Sequence, residues 1–223
     1  MTRAYREYYL EDAMAALGAM LEDAVHLFGV PARQFWNHFL ASPVSERFAA
    51  GDPFVVAGKS GWELAVRVLE EAGVSFPHRM PDELRSRTPE YWAGWALAQY
   101  QWYRGFTFAE IERFAPLESV IAMYAPYHEM SIAQFHDALD ERYRAQHPET
   151  RLKELRKAAK LTRDALGALA QVPSRRIEQY EQRRRDINAA RADAFLSLAR
   201  ALGCEPRDLL ERVPECSRAD VLY

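Results

Sequence analysis

The sequence predicts an all-α protein in two parts, and three observations predict it. Apolar residues recur at three- and four-residue steps through most of the 223 residues. The one stretch with strand character, residues 54–59 (FVVAGK), is too short and too isolated to support a sheet. Charge is divided unevenly: residues 1–149 hold 13 Lys and Arg against 21 Asp and Glu, net −8, while residues 150–223 hold 16 against 11, net +5. The break at His147-Pro148-Glu149 gives a domain over 1–147, a second over 150–212 and a tail over 213–223.

Residues 4–28 read as a long amphipathic helix with Leu10, Met14, Leu17, Leu21, Val25 and Phe28 in one stripe, ended by Gly29. Pro31 starts a helix carrying Phe35, Trp36, Phe39 and Leu40, and Ser42-Pro43 a short one with Val44 and Phe48. Gly51-Asp52-Pro53 is a turn. Gly58-Lys59-Ser60 matches the end of a phosphate-binding loop, but Pro53 stands where the first glycine belongs, and no buried strand precedes it. Ser60 with Glu63 instead makes a capping box for a helix over 61–72 with Leu64, Val68 and Leu69 on one side.

After a connector over 75–87, Thr88-Pro89 opens PEYWAGWALAQYQWYRG. Its aromatic side chains point around nearly the whole helix, as expected of the central helix of a domain. The alternative is a ligand pocket made of Trp92, Trp95, Tyr100 and Trp102, whose flat faces and polar tips suit one. Thr107 with Glu110 caps a helix to Phe114, residues 116–124 form another short piece, and 126–129 turn. Ser131 with Gln134 gives a third box, for a helix to about 146 with Ile132, Phe135, Leu139 and Tyr143 inward.

Catalytic chemistry is not encoded in recognisable form. His128, Glu129, His136 and Asp137 are the one local cluster of ligand-type residues, and their spacing fits no metal motif, so capping or solvated roles are expected. No nucleophile elbow, dinucleotide loop or paired-carboxylate motif occurs; the expectation is a non-enzyme without cofactor or metal. Cys204 sits among apolar residues and reads as a buried thiol, Cys216 lies in a polar tail, and two scattered cysteines give no disulfide framework. The N-terminal residues lack a signal-type apolar core, and no run approaches the ~18 apolar residues of a membrane span. A cytoplasmic protein is expected.

The most informative stretch is 151–188, RLKELRKAAKLTRDALGALAQVPSRRIEQYEQRRRDIN. Leu152, Leu155 and Ala159 share one helical face; Thr162 can cap a short helix over 163–170 with Leu166, Leu169 and Ala170 buried. Residues 171–174 turn, and a third helix places Ile177 and Tyr180 inward and Ser174, Arg175, Arg176, Gln179 and Gln182 elsewhere. A short helix held at an angle by another can enter the major groove. Arg offers donors to guanine, Gln a donor and an acceptor to adenine, and Ser a small hydroxyl, while Arg183, Arg184 and Arg185 suit phosphates. A basic end on an acidic body fits DNA contact by one end only.

This stretch resembles the Cro and phage-repressor helix-turn-helix family, also called the xenobiotic-response-element type. The resemblance runs from Leu152 to about Glu211 through L-x-x-L-R at 152–156, L-T-x-x-x-L at 161–166, L-A-x-V at 169–172, I-x-x-Y-E at 177–181 and F-L-x-L-A-x-A-L-G-C at 195–204. It implies a five-helix DNA-binding domain, completed by helices over 190–202 (Phe195, Leu198, Ala199 and Leu202 inward) and 206–212 (Leu209 and Leu210 inward). It also implies an ion pair between Arg156 and Glu181. The chain departs from the family at Arg163, where Gln is usual, and at Gln171, where Gly is favoured in a left-handed turn. The whole chain further resembles bacterial regulators of unassigned role, on Tyr91 to Trp95 and Tyr180 to Asn188.

The expected function is a transcriptional regulator, a repressor, binding double-stranded DNA as a homodimer. Base contact is expected from Ser174, Arg175, Gln179 and Arg176, and phosphate contact from Arg163, Arg183, Arg184 and Arg185. The N-terminal domain would dimerise, sense a small-molecule effector or bind a protein partner. The alternative is an antitoxin-like protein whose acidic domain covers a toxin and whose DNA binding serves autoregulation.

Overall fold

Every element of the protein, a computed structural model that describes residues 3–81 and 87–213, is helical; among the described residues there is no strand. The chain divides into two compact units, Met1–Arg142 and Tyr143–Tyr223.

The first unit contains α1 (Leu10–Glu22), α2 (Ala32–Ala41), α3 (Pro43–Ala49), α4 (Pro53–Val56), α5 (Gly61–Glu71), α6 (Pro89–Arg104), α7 (Phe108–Phe114), α8 (Leu117–Ala122) and α9 (Tyr124–Tyr127). Helix α10 (Ile132–Gln146) carries the chain on into the second unit. The long first helix is not regular to its end: residues Asp23–Leu27 form a π turn, with Phe28 N–H donating to the Asp23 carbonyl at 2.9 Å. The extra residue in that turn shifts the buried face, so Ala24 is buried where the stripe predicted Val25, which is half-buried.

Helix α6 is the central one, packed on α1 through a close crossing of glycines. A Cβ at Gly94 would stand 2.5 Å from the Leu17 carbonyl oxygen, and one at Gly18 2.8 Å from that of Tyr91. Hydrogen there lets the two backbones approach. Inside the unit Tyr100 is fully buried, and its hydroxyl donates to Asp140 Oδ1 at 2.9 Å. Asp140 also pairs with the buried Arg104, whose Nε donates to Oδ1 at 3.0 Å. A buried ion pair is stable only when its remaining lone pairs are satisfied, which the tyrosine does here.

The capping boxes at Ser60–Glu63 and Thr107–Glu110 form as expected, and Thr88 accepts from Tyr91 N–H. Three local expectations are corrected. Residues 53–56 are a helical turn, not strand-like: Asp52 caps Phe54 N–H, Pro53 takes the first helical position, and Val55 and Val56 are buried. Ser131 Oγ accepts from Ala133 N–H at 3.4 Å instead of the amide of Gln134, which donates to the Ser131 carbonyl. Helix α9 extends helical structure to Tyr127, into the expected turn.

The second unit holds α11 (Arg151–Ala158), α12 (Arg163–Ala170), α13 (Ser174–Glu181), α14 (Ala192–Leu202) and the 3-10 turns Ile187–Ala189 and Pro206–Leu209. Leu152, Leu166, Val172, Ile177, Tyr180, Ile187, Leu198 and Leu209 fill its core. Leu169 and Leu210, expected inside, are 62% and 44% exposed. At α12 the inward place is taken by Gly167, where a Cβ would meet the Val172 carbonyl at 2.7 Å. The final element is a 3-10 turn too short to bury both leucines. Cys204 is half-buried, not buried; burial nonetheless raises its thiol pKa. Cys216 and residues 214–223 of the expected tail lie outside the described residues.

Candidate nucleic-acid interface

The geometry of the candidate interface starts from a carboxylate. The Glu181 side chain, at the end of α13, is 0% exposed. Its Oε1 accepts from Arg156 Nε at 2.5 Å, and its Oε2 from Arg156 Nη2 at 3.0 Å and Arg163 Nε at 2.8 Å. Arg156 also donates to the Leu161 carbonyl at 2.8 Å. One buried anion thus ties α11, α12 and α13 together. Burial pushes the Glu181 carboxyl up, but the two guanidiniums outweigh it and hold the pKa below the usual glutamate range. The Arg156–Glu181 ion pair implied by the resemblance is present, and Arg163 joins it.

Two turns set α13 against that frame. Thr162 caps α12 by accepting from Ala165 N–H at 3.1 Å. Gln171 ends α12 in the left-handed region at φ 55°, ψ 36°, and Val172 N–H reaches back to the Gly167 carbonyl at 3.0 Å. Pro173 then precedes the first residue of α13. Ile177, Tyr180 and Glu181 face inward. Arg175 and Gln182 are exposed, and Ser174, Arg176, Glu178 and Gln179 half-buried.

The arginines expected at phosphates separate into two groups. Arg184 and Arg185 are exposed and, like Arg175 and Arg176, have no ion-pair partner among the described residues. Arg163 is occupied by Glu181 and lies 3.7 Å from Glu178. Its pKa is raised, first by the Glu181 hydrogen bond. Arg183 is turned the other way: its two terminal nitrogens donate to the carbonyls of His147 (2.9 Å), Pro148 (3.1 Å) and Glu149 (3.3 Å). Arg183, expected at a phosphate, has carbonyls of its own chain on both terminal nitrogens. No local sequence signal marks a contact across 34 to 36 residues.

Sequence reasoning also missed Asn188, whose amide donates to the Glu211 carbonyl at 2.7 Å and accepts from Glu211 N–H at 2.9 Å. That reciprocal pair fixes the loop after the basic run to the end of the domain.

Trp92, Trp95, Tyr100 and Trp102, the alternative ligand-pocket residues, take places in the packing of the first unit. Tyr100 and Trp102 are buried, Trp102 Nε1–H donates to the Tyr5 carbonyl at 2.8 Å, and Trp92 packs edge-on against Tyr124 and Phe135. Trp95 is half-buried. A cavity of about 410 Å³ does lie in this unit, but of α6 only Tyr91 lines it, with Glu22, Asp23, Trp62 and Arg87 among its other walls. His128 stacks on Tyr124 and His136 is buried against Tyr103. Among the described residues no group of His, Cys, Asp and Glu could hold a metal ion. No helix among them is long and apolar enough to cross a membrane.

Residues 150–213 match the family model of a helix-turn-helix domain, consistent with a C-terminal unit of the Cro and phage-repressor type. No curated protein and no solved structure matches the chain.

Proposed function

We propose that the protein is a sequence-specific transcriptional regulator, a repressor, that acts in the cytoplasm as a homodimer and places α13 in the major groove of duplex DNA. A helix-turn-helix domain points to a DNA-binding regulator. The observation that carries the finer reading is the pairing of the cations. Arg156, Arg163 and Arg183 are occupied within the unit, while Arg175, Arg176, Arg184 and Arg185, on α13 and the turn after it, are left to the solvent side. Guanidiniums kept unpaired on one short helix and the turn after it suit base edges and phosphates.

In this reading Arg175, Gln179, Arg176 and Ser174 face bases, and Arg184 and Arg185 face phosphates. One unit of this size covers little DNA, so useful specificity calls for two copies on a two-fold site. The first unit supplies dimerisation, effector sensing or partner binding. Its acidic balance also favours a second reading, an antitoxin-like cover for a partner toxin.

The experiment is selection of bound sequences from random duplex DNA by the full chain at near-physiological salt. Enrichment of an inverted repeat with half-sites about one helical turn apart supports the regulator. No enrichment, with a stable protein partner on co-purification, favours the second reading. Arg175→Ala should weaken specific binding by about 1–3 kcal/mol and leave random DNA less affected.

A further inference from the structure

The turn that follows α13 is built on a strained residue. Arg183 lies in the left-handed region, φ 54°, without being glycine. Such a conformation costs a non-glycine residue about 1 kcal/mol and persists only where the surroundings impose it. Here the side chain is placed to hold it. The terminal nitrogens of the guanidinium grip three successive carbonyls, His147, Pro148 and Glu149. Its buried Nε finds no partner, so the terminal nitrogens alone carry the grip.

The gripped stretch is held on its other side as well. The Glu149 carboxylate binds Lys157 and Lys153, which keep its pKa below the usual range. Downstream, Arg184 and Arg185 N–H both donate to the Gln179 carbonyl, at 2.9 and 3.2 Å. The left-handed residue is thus what folds the two exposed arginines back over the end of α13.

We propose that Arg183 is a positioning residue. Its guanidinium, clamped on the carbonyls of residues 147–149, sets the turn that presents Arg184 and Arg185 to the DNA backbone. DNA affinity then depends on the stretch by which the chain enters the second unit. The inference rests on the DNA-binding reading above.

The test uses the full chain with Arg183→Gly and Arg183→Lys. Glycine removes the clamp and leaves the backbone free to enter or leave the left-handed region; lysine keeps the charge and loses the planar fork. Both should weaken binding to the selected sequence by about tenfold. In an Arg184→Gln/Arg185→Gln background neither should weaken it further, because residues acting as one unit are not additive. In the DNA-free protein, both should speed amide exchange at Arg184 and Arg185. Wild-type affinity in the Arg183→Lys variant would mean that charge alone matters and would overturn the clamp. So would losses that add in the double background, the signature of an independent phosphate contact. If the wild-type chain binds no DNA, the DNA-binding reading fails by itself. The exchange measurement still decides the clamp: unchanged exchange at Arg184 and Arg185 refutes it.

Discussion

Replacing Glu181 by Gln should destabilise the second unit by about 3 kcal/mol. The amide keeps one acceptor where the carboxylate had two, so it can still serve one edge of the Arg156 guanidinium. Its NH2 then faces the donors that Oε2 now receives, Arg156 Nη2 and Arg163 Nε. Two charge-assisted hydrogen bonds are lost, each worth about 1.5–3 kcal/mol, and two cations are left beside each other. The loss is moderated because Arg163, 38% exposed at its side chain, can swing into water. Arg156, at 12%, cannot, and keeps only the remaining amide oxygen and the Leu161 carbonyl. The assay is native-state amide exchange in the full chain at Leu166 and Leu198, buried in the core of this unit. A 3 kcal/mol loss speeds exchange there by about 100-fold. Binding to the selected DNA should fall too, since α13 loses its tie to α11 and α12. An exchange rate within about fivefold of wild type would refute the view that this carboxylate fastens the three helices.

Gly94→Ala should destabilise the first unit by about 1–3 kcal/mol, against the roughly 1 kcal/mol that alanine normally gains over glycine in a helix. Gly18→Ala should cost less, because two of the three nearest atoms are from the Tyr91 ring, which can shift, whereas at Gly94 all are backbone; denaturant midpoints decide the order. His136 has its pKa lowered to about 3, first by burial and then by the charges of Arg104 and Arg3. The unfolded chain therefore binds a proton at this residue below about pH 6.5 that the folded chain refuses, and stability falls as pH drops from about 6.5 towards 3. Between pH 6.5 and 5 the loss should be about 2 kcal/mol, and His136→Phe should abolish it; an unchanged slope in that variant would assign the effect elsewhere. Gln171→Gly should raise the thermal midpoint, by relief of about 1 kcal/mol of left-handed strain at φ 55°; a lower midpoint would show that the side chain matters there.

What was legible in the sequence was local or periodic. Ser60–Glu63 and Thr107–Glu110 lie within four residues of each other, and capping follows from residue type and spacing alone. The inward faces at Leu152, Ile177 and Tyr180 follow from the helical period. The pair Arg156–Glu181 was legible only through the family resemblance, because 25 residues separate its members. Arg163 at a helix start and Arg183 in a basic run look like any exposed arginine; only the folded chain reveals which cations have partners. The same holds for Gly18 and Gly94, whose meaning is a helix crossing and not a turn. Pro53–Val56 misled because valines favour strands, while Asp52 and Pro53 start a helical turn before that preference can act.

The grip of Arg183 also bears on where this domain can be cut. The family match begins at residue 150, yet the three carbonyls that hold Arg183 belong to residues 147–149. A fragment started at 150 and grafted onto another protein would keep every recognised motif and lose the anchor of its own basic turn. It would fold around the same core and present Arg184 and Arg185 on a turn free to relax. The portable module is longer than the recognisable one, and a fusion that includes residues 147–149 should bind where one starting at 150 binds weakly.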